Sequence, residues 1–334
     1  MDWYNLQLKN ERPYGSLTVP MSYTDAQLSN MDFLRPREWD ERKLQTIDVP
    51  PEAYPDTMKV KPDKIVFTMP ATIRQKSGNR TITGIKFTDL LMLDVIKSSK
   101  WKRPFYFSTT VSPDNFIGLN DYLQLQGMVY KVMPYKVNDG TEVAVDQPVT
   151  RKCLTEQPLT PSKTPQYGFM FRGLNDGKIF YDQTQQRMLE MYRTLYVWLA
   201  NTYASDSTKH QDAKEVLKKM EANISRSAVS IDYRQEYQIA MLYHTLGDRK
   251  KFEDYARGAE EGALLEKKSR NSNMQSYYNP YRILLDIYEA REDYQKALNL
   301  MNELDPKDPG VIQKKESLRI KMSGGTPNTD TVKK

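Results

Sequence analysis

The chain has 334 residues, room for two domains of ordinary size, each with its own core. At 39% hydrophobic and 28% charged residues it reads as a folded protein, and no apolar run approaches the roughly 20 residues needed to cross a bilayer. The one cysteine, Cys153, excludes an internal disulfide and cysteine-based metal sites, and a net charge of +6 with no clustered basic stripe argues against nucleic-acid binding.

Residues 1–62 read as an extended N-terminal arm, because Pro13, Pro20, Pro36, Pro50, Pro51 and Pro55 interrupt every longer element. Only residues 2–9 can form a short helix there. A small α/β domain is expected over 63–150. It opens with a strand at 65–69, a turn at Ser77-Gly78-Asn79 and a strand at 81–85. Thr88 is the expected cap of a helix that gathers Leu90, Leu91, Val95 and Ile96 on one side, with Asp89 early and Lys97 and Lys100 late as the helix dipole prefers. The helix leads into a strand at 105–111, and strand, helix, strand in that order predicts a right-handed crossover within one sheet. A turn-rich loop at 112–115, a short helix at 118–125 and a strand at 128–133 follow. Asp139-Gly140 predicts a hairpin between 135–137 and 141–145. Pro148, Pro158, Pro161 and Pro165 then mark a surface linker, taken as 151–183.

From Thr184 the apolar period becomes helical. Met188, Tyr192, Leu195, Leu199 and Tyr203 recur at steps of three and four, and Ala213, Val216 or Leu217, Met220 and Ile224 repeat the stripe. Ile239, Ala240 and Tyr243 precede Leu246-Gly247-Asp248, after which Phe252, Tyr255, Ala256 and Ala259 mark the returning helix. Tyr281, Leu284, Leu285 and Tyr288 stand in the same relation to Tyr294, Ala297, Met301 and Leu304, and Pro306 ends the run. This layout is similar to the tetratricopeptide repeat, but Tyr203, Tyr243 and Tyr288 are 40 and 45 residues apart against about 34 in that consensus. The expected fold class is α+β: a small α/β sheet domain followed, over 184–322, by an all-α solenoid of tetratricopeptide-like helical hairpins. Residues 310–321 would cap it, and 323–334 read as a disordered tail.

Reactive motifs are scarce. His210 and His244 lack acidic or cysteine neighbours at ligand spacing, and no glycine-rich phosphate loop or nucleophile elbow is written in the chain. The reading therefore assigns no catalytic residue, no metal and no cofactor. The strongest ligand candidates are Ser112, Asp114 and Asn115 in the loop that leaves the 105–111 strand, with Asp121 nearby, because ligands on open α/β sheets gather beyond strand carboxyl ends. Two carboxylates there could serve a hydrolase as acid and base or hold sugar hydroxyls. The same side chains equally serve as helix caps and turn formers. Tyr277, Tyr278 and Tyr281 offer rings for gripping a partner on the solenoid's concave face, or for packing one hairpin on the next.

Four elements carry a family resemblance: Arg103-Pro104-Phe105-Tyr106, the Ser112 to Asn115 loop, Gly118-Leu119 with Tyr122, and Gly127 with Tyr130 and Pro134. In this order they resemble the soluble C-terminal region of bacterial polytopic membrane proteins grouped with the transmembrane O-mannosyltransferases, glycosyltransferase family 117. Asp2-Trp3-Tyr4 matches a further motif of those relatives. The resemblance implies a position on the periplasmic side of the inner membrane, as a non-catalytic region of a glycosyltransferase whose membrane part lies upstream. It also implies partners: that membrane part, and acceptor or envelope proteins met by the helical repeats. It carries no catalytic residue over to this chain. A free-standing helical-repeat adaptor, unconnected with glycosyl transfer, is the competing reading.

Overall fold

The computed structural model describes residues 19–78, 80–138, 143–156, 166–268 and 278–323. The expected helix at 2–9, the Asp139-Gly140 turn, residues 157–165 of the proline-rich linker and the tail beyond Ser323 lie outside them. The chain divides into two compact units, residues 1–170 and 171–334. No helix among the described residues is long and apolar enough to cross a membrane.

The first unit is built of three small sheets around one core. A short helix α1 (Asp25–Leu28) is followed by strands β1 (Arg37–Glu38), β2 (Leu44–Asp48), β3 (Lys64–Thr68), β4 (Ile73–Ser77) and β5 (Arg80–Ile85). Helix α2 (Phe87–Ser99), strands β6 (Tyr106–Ser108), β7 (Leu123–Gln126), β8 (Val129–Val132) and β9 (Ala144–Val145), and helix α3 (Gln147–Thr155) complete it. The sheets are β1-β5-β4, β2-β3 and β6-β8-β7-β9, antiparallel throughout except where β9 runs parallel to β7. Ile47, Ile65 and Phe67 from one sheet, Ile85 from another, Leu93 and Ile96 from α2 and Leu123 and Val132 from the third meet in that core. Each such side chain contributes about 1.5–3 kcal/mol by leaving water.

Several expectations change. Residues 44–54, read as part of an arm, supply a full strand and the buried Ile47, Val49 and Tyr54; the alternation of exposed and buried positions in β2 is short enough to be hidden among prolines. The expected crossover does not form, because β5 and β6 belong to different sheets. At the end of α2, Lys100 (φ 50°) and Trp101 (φ 60°) turn the chain through two consecutive left-handed residues, and the Trp101 indole donates to the Asp48 carbonyl at 2.8 Å. The cap of α2 is Lys86 rather than Thr88, and Asp89 is buried, accepting from Thr72 Oγ1 at 2.7 Å. The helix expected at 118–125 shrinks to one 3₁₀ turn, Asn120–Tyr122. Ile117 (φ 50°) and Gly118 (φ 88°) break any longer helix, after which Leu123 and Leu125 alternate as a strand. Residues 135–138 form no strand, so the expected hairpin partner is absent, and β9 instead pairs with β7. Helix α3 runs across the expected linker boundary: Asp146 caps it by accepting from Val149 N at 3.1 Å, and Pro148 sits in its first turn, where a missing N–H costs nothing.

In the second unit the described helices are α4 (Gln183–Ala204), α5 (His210–Asn223), α6 (Tyr233–Thr245), α7 (Arg249–Lys268), α8 (Pro280–Ala290), α9 (Tyr294–Met301) and α10 (Pro309–Met322). Asp182, Asp232, Asn279, Asp293 and Asp308 each cap a helix with a side-chain oxygen, Asp182 in a capping box with Gln185. Helices α4 and α5, α6 and α7, and α8 and α9 pack as hairpins; α6 also touches α4 and α8, which stacks the hairpins in order. Tyr203, Tyr243 and Tyr288, the residues whose spacing defined the repeat, are all buried.

Candidate functional site

The loop after β6 turns inward at its end and outward at its start. Ser112 precedes the 3₁₀ turn Pro113–Asn115, which carries Asp114 and Asn115; all three are exposed, and Asn115 N donates to the Ser112 carbonyl at 2.9 Å. Phe116, Ile117 and Leu119 then enter the core, with Phe116 edge-on to Phe107 at 5.2 Å and to Tyr130 at 5.6 Å. Asp121 serves the next segment. Its carboxylate holds Lys136 Nζ at 2.7 Å and its carbonyl accepts from Val137 N and Asn138 N at 2.9 and 3.2 Å. That hydrogen bond raises the Lys136 pKa. Among the described residues no hydrogen bond or ion pair ties Ser112, Asp114 or Asn115 to Asp121.

Of the three tyrosines named for partner binding, Tyr277 lies outside the described residues. Tyr278 accepts a hydrogen bond from Gln238 of α6. Tyr281 lies on α8, its ring under Lys267 Nζ at 5.5 Å and its hydroxyl 3.5 Å from Glu303 Oε2. The latter two therefore sit in polar contacts with other segments of the second unit.

Those contacts belong to a ladder that the periodicity of the sequence does not reveal. Arg193 of α4 is fully buried and donates to the carbonyls of Val229 at 2.8 Å and Ser230 at 3.2 Å; burial lowers its pKa to about 10. Gln235 donates to Thr194 at 2.9 Å and Tyr237 to Asp286 at 2.6 Å, joining α6 to α4 and to α8. Glu221 of α5 accepts from Tyr243 Oη at 3.0 Å, Tyr255 Oη at 3.1 Å and Lys251 Nζ at 2.6 Å. Burial, and then the Glu221 charge, push both phenols far above their usual range. Arg226 pairs with Glu236 and with Asp254 and lies 4.5 Å over the Tyr255 ring. Burial pushes the Glu236 carboxyl up even against that cation. Arg291 closes α8 onto α7 through Glu253 and Glu260.

In the first unit a cleft of about 440 Å³ opens beside β2 and the end of α2, lined by Thr46, Asp48, Pro50, Asp63, Lys97 and Lys100. Its four charged side chains make no ion pair with one another or with any described residue. Lys97 Nζ donates to Gln45 Oε1 at 3.4 Å. Lys97 and Lys100 were visible in the sequence as the basic end of a helix, but nothing there joined them to Asp48 and Asp63, which a separate strand pair carries. Among the described residues no group of three or more His, Cys, Asp and Glu is arranged to hold a metal ion.

Residues 42–149 match the family model for TMEM260-associated domain 2. The match runs from the residues before β2 into the first turn of α3 and so covers both the cleft and the Ser112 loop. Comparison with curated proteins and with solved structures gives no match for the chain.

Proposed function

We propose that this chain is the extracytoplasmic, non-catalytic region of a membrane glycosyltransferase-like protein of the O-mannosyltransferase kind, whose membrane part precedes it. The observation that carries the reading is the match of residues 42–149 to TMEM260-associated domain 2, on the segment that also bears the four sequence elements of the resemblance. In this reading the first unit is the part that adjoins the membrane body. The second unit, with its hairpins stacked in order and cross-linked by partly buried polar contacts, recognises the acceptor protein or an envelope partner on the periplasmic side of the inner membrane. Chemistry on the lipid-linked sugar belongs to the membrane part.

The test compares membranes carrying the whole polypeptide with membranes carrying a version cut after residue 170. The expected result is that both consume a polyprenyl-linked sugar donor while only the first glycosylates protein acceptors. Transfer by the purified chain unaided would overturn the assignment as non-catalytic. A gene in which no apolar helices precede this region would favour the adaptor reading instead.

A further inference from the structure

The register of the β2-β3 pair fixes where the main chain of β2 points. Val49 N donates to the Asp63 carbonyl at 2.7 Å and Met69 N to the Lys43 carbonyl at 3.1 Å, so the odd-numbered residues of β2 face β3 and the N–H and C=O groups of Leu44, Thr46 and Asp48 point to the outer edge. The matching outer edge of β3 is closed: Val66 O accepts from Tyr122 Oη at 3.1 Å, and Gly118 lies against Thr68 O. On the β2 edge Trp101 occupies the Asp48 carbonyl. Among the described residues nothing bonds the N–H and C=O of Leu44 and Thr46. An open strand edge of this kind pairs readily with another extended chain.

We propose that the outer edge of β2 is a docking site for a short extended peptide, which adds a strand at Leu44 and Thr46 and runs into the adjoining cleft. The cleft sets the peptide's chemistry. Among the described residues Lys97 and Lys100 have no carboxylate partner and Asp48 and Asp63 no cationic one, so the site selects a segment carrying both an acidic and a basic side chain. Trp101 limits the pairing to a few residues by blocking Asp48. The site lies wholly in the first unit and stands independently of the sugar-transfer reading.

The probe is a phage-displayed library of random short linear peptides panned on the full chain, followed by synthesis of those enriched. Bound peptide is expected to slow amide exchange at Leu44 and Thr46. Affinity is expected to fall about tenfold on N-methylation of the peptide residue that faces Thr46, the loss of one main-chain hydrogen bond. Thr46→Pro should weaken binding similarly and still fold, because the Thr46 N–H serves no partner in the sheet; the Ile65 methyl signal checks the fold. Panning on the Lys97→Glu, Lys100→Glu double variant should remove the preference for acidic residues. Absence of enrichment overturns the proposal, as does binding indifferent to both N-methylation and Thr46→Pro. Protection of Leu44 and Thr46 that grows with protein concentration without peptide overturns it in favour of self-pairing.

Discussion

Replacing Gly118 by alanine tests how the first unit joins its sheets. A Cβ at this position would lie 2.1 Å from the Thr68 carbonyl oxygen and 3.1 Å from both Thr68 C and Pro70 Cδ, and the residue holds φ +88°. The left-handed backbone alone costs an L-residue about 1–2 kcal/mol. Relieving the clash requires the loop to retreat by about 1 Å, because the obstacle is main chain and cannot rotate away, and overpacking of this kind adds about 1–3 kcal/mol. The retreat pulls on Ile117 and Leu119, both fully buried, so the loss should come from the core and not from the surface. The total, about 2–5 kcal/mol, is a large share of the roughly 5–15 kcal/mol that holds a domain together. Gly78→Ala is the control: φ is +60° there, but a Cβ meets nothing within 4 Å, so only the backbone cost applies. Urea unfolding followed through the Ile65 and Ile85 methyl resonances should lower the midpoint for Gly118→Ala by about 1 M or more, given slopes of about 1–3 kcal/mol per molar urea. Equal midpoints for the two variants would refute the claim that Gly118 is required by close approach to Thr68.

Gly262→Ala on α7 would put a Cβ 2.2 Å from Tyr233 Cβ, at the stiff base of that side chain, so α6 and α7 must part; a loss of about 2–3 kcal/mol in unfolding followed by Trp198 fluorescence is expected. Burial pushes the Glu289 carboxyl up, but the ammonium groups of Lys314 at 2.5 Å and Lys321 at 2.7 Å outweigh it and hold the carboxyl below its ordinary value. A depressed acid contributes stability that is present above the unfolded pKa of about 4.3 and disappears as pH falls through the folded one. Amide protection in α10 should therefore fade on acidification below about pH 4.3 in the wild type and show a flatter profile in Glu289→Gln. Burial pushes the Tyr196 phenol up to about 12, with Asn223 Nδ2 donating to it at 2.8 Å. Its stabilising contribution is complete below about pH 10 and is lost as pH rises toward the folded value. Ultraviolet titration of Tyr196→Phe should accordingly lack one late phenolate increment seen in the wild type.

How far the sequence could be read differs between the two halves for a physical reason. In the second unit each helix supplies its own hydrogen bonds, so a local stripe such as Leu195, Leu199 and Tyr203 was enough to predict α4. In the first unit strands bond only across the chain. Nothing local in residues 44–48 shows that they pair with 64–68, and prolines at 50, 51 and 55 disguised them as an arm. The crossover expected at 105–111 failed likewise: the order of elements was right, but the partner of β6 is β8, which only the assembled core selects.

The site residues divide along the same line. Ser112, Asp114 and Asn115 were legible as a turn because turn chemistry is local, whereas the attachment of Asp121 to Lys136 depends on how residues 120–138 fold back. Composition and spacing by themselves determined a mixed sheet part followed by helices, the absence of a membrane-length apolar run and the apolar faces of the hairpins. Tertiary structure decided which strand edges are closed, that Arg193 is buried against two carbonyls, and that Lys97 and Lys100 share a cleft with Asp48 and Asp63. Those outcomes depend on groups distant in the chain brought within a few ångströms, and no local pattern of residue types encodes that distance.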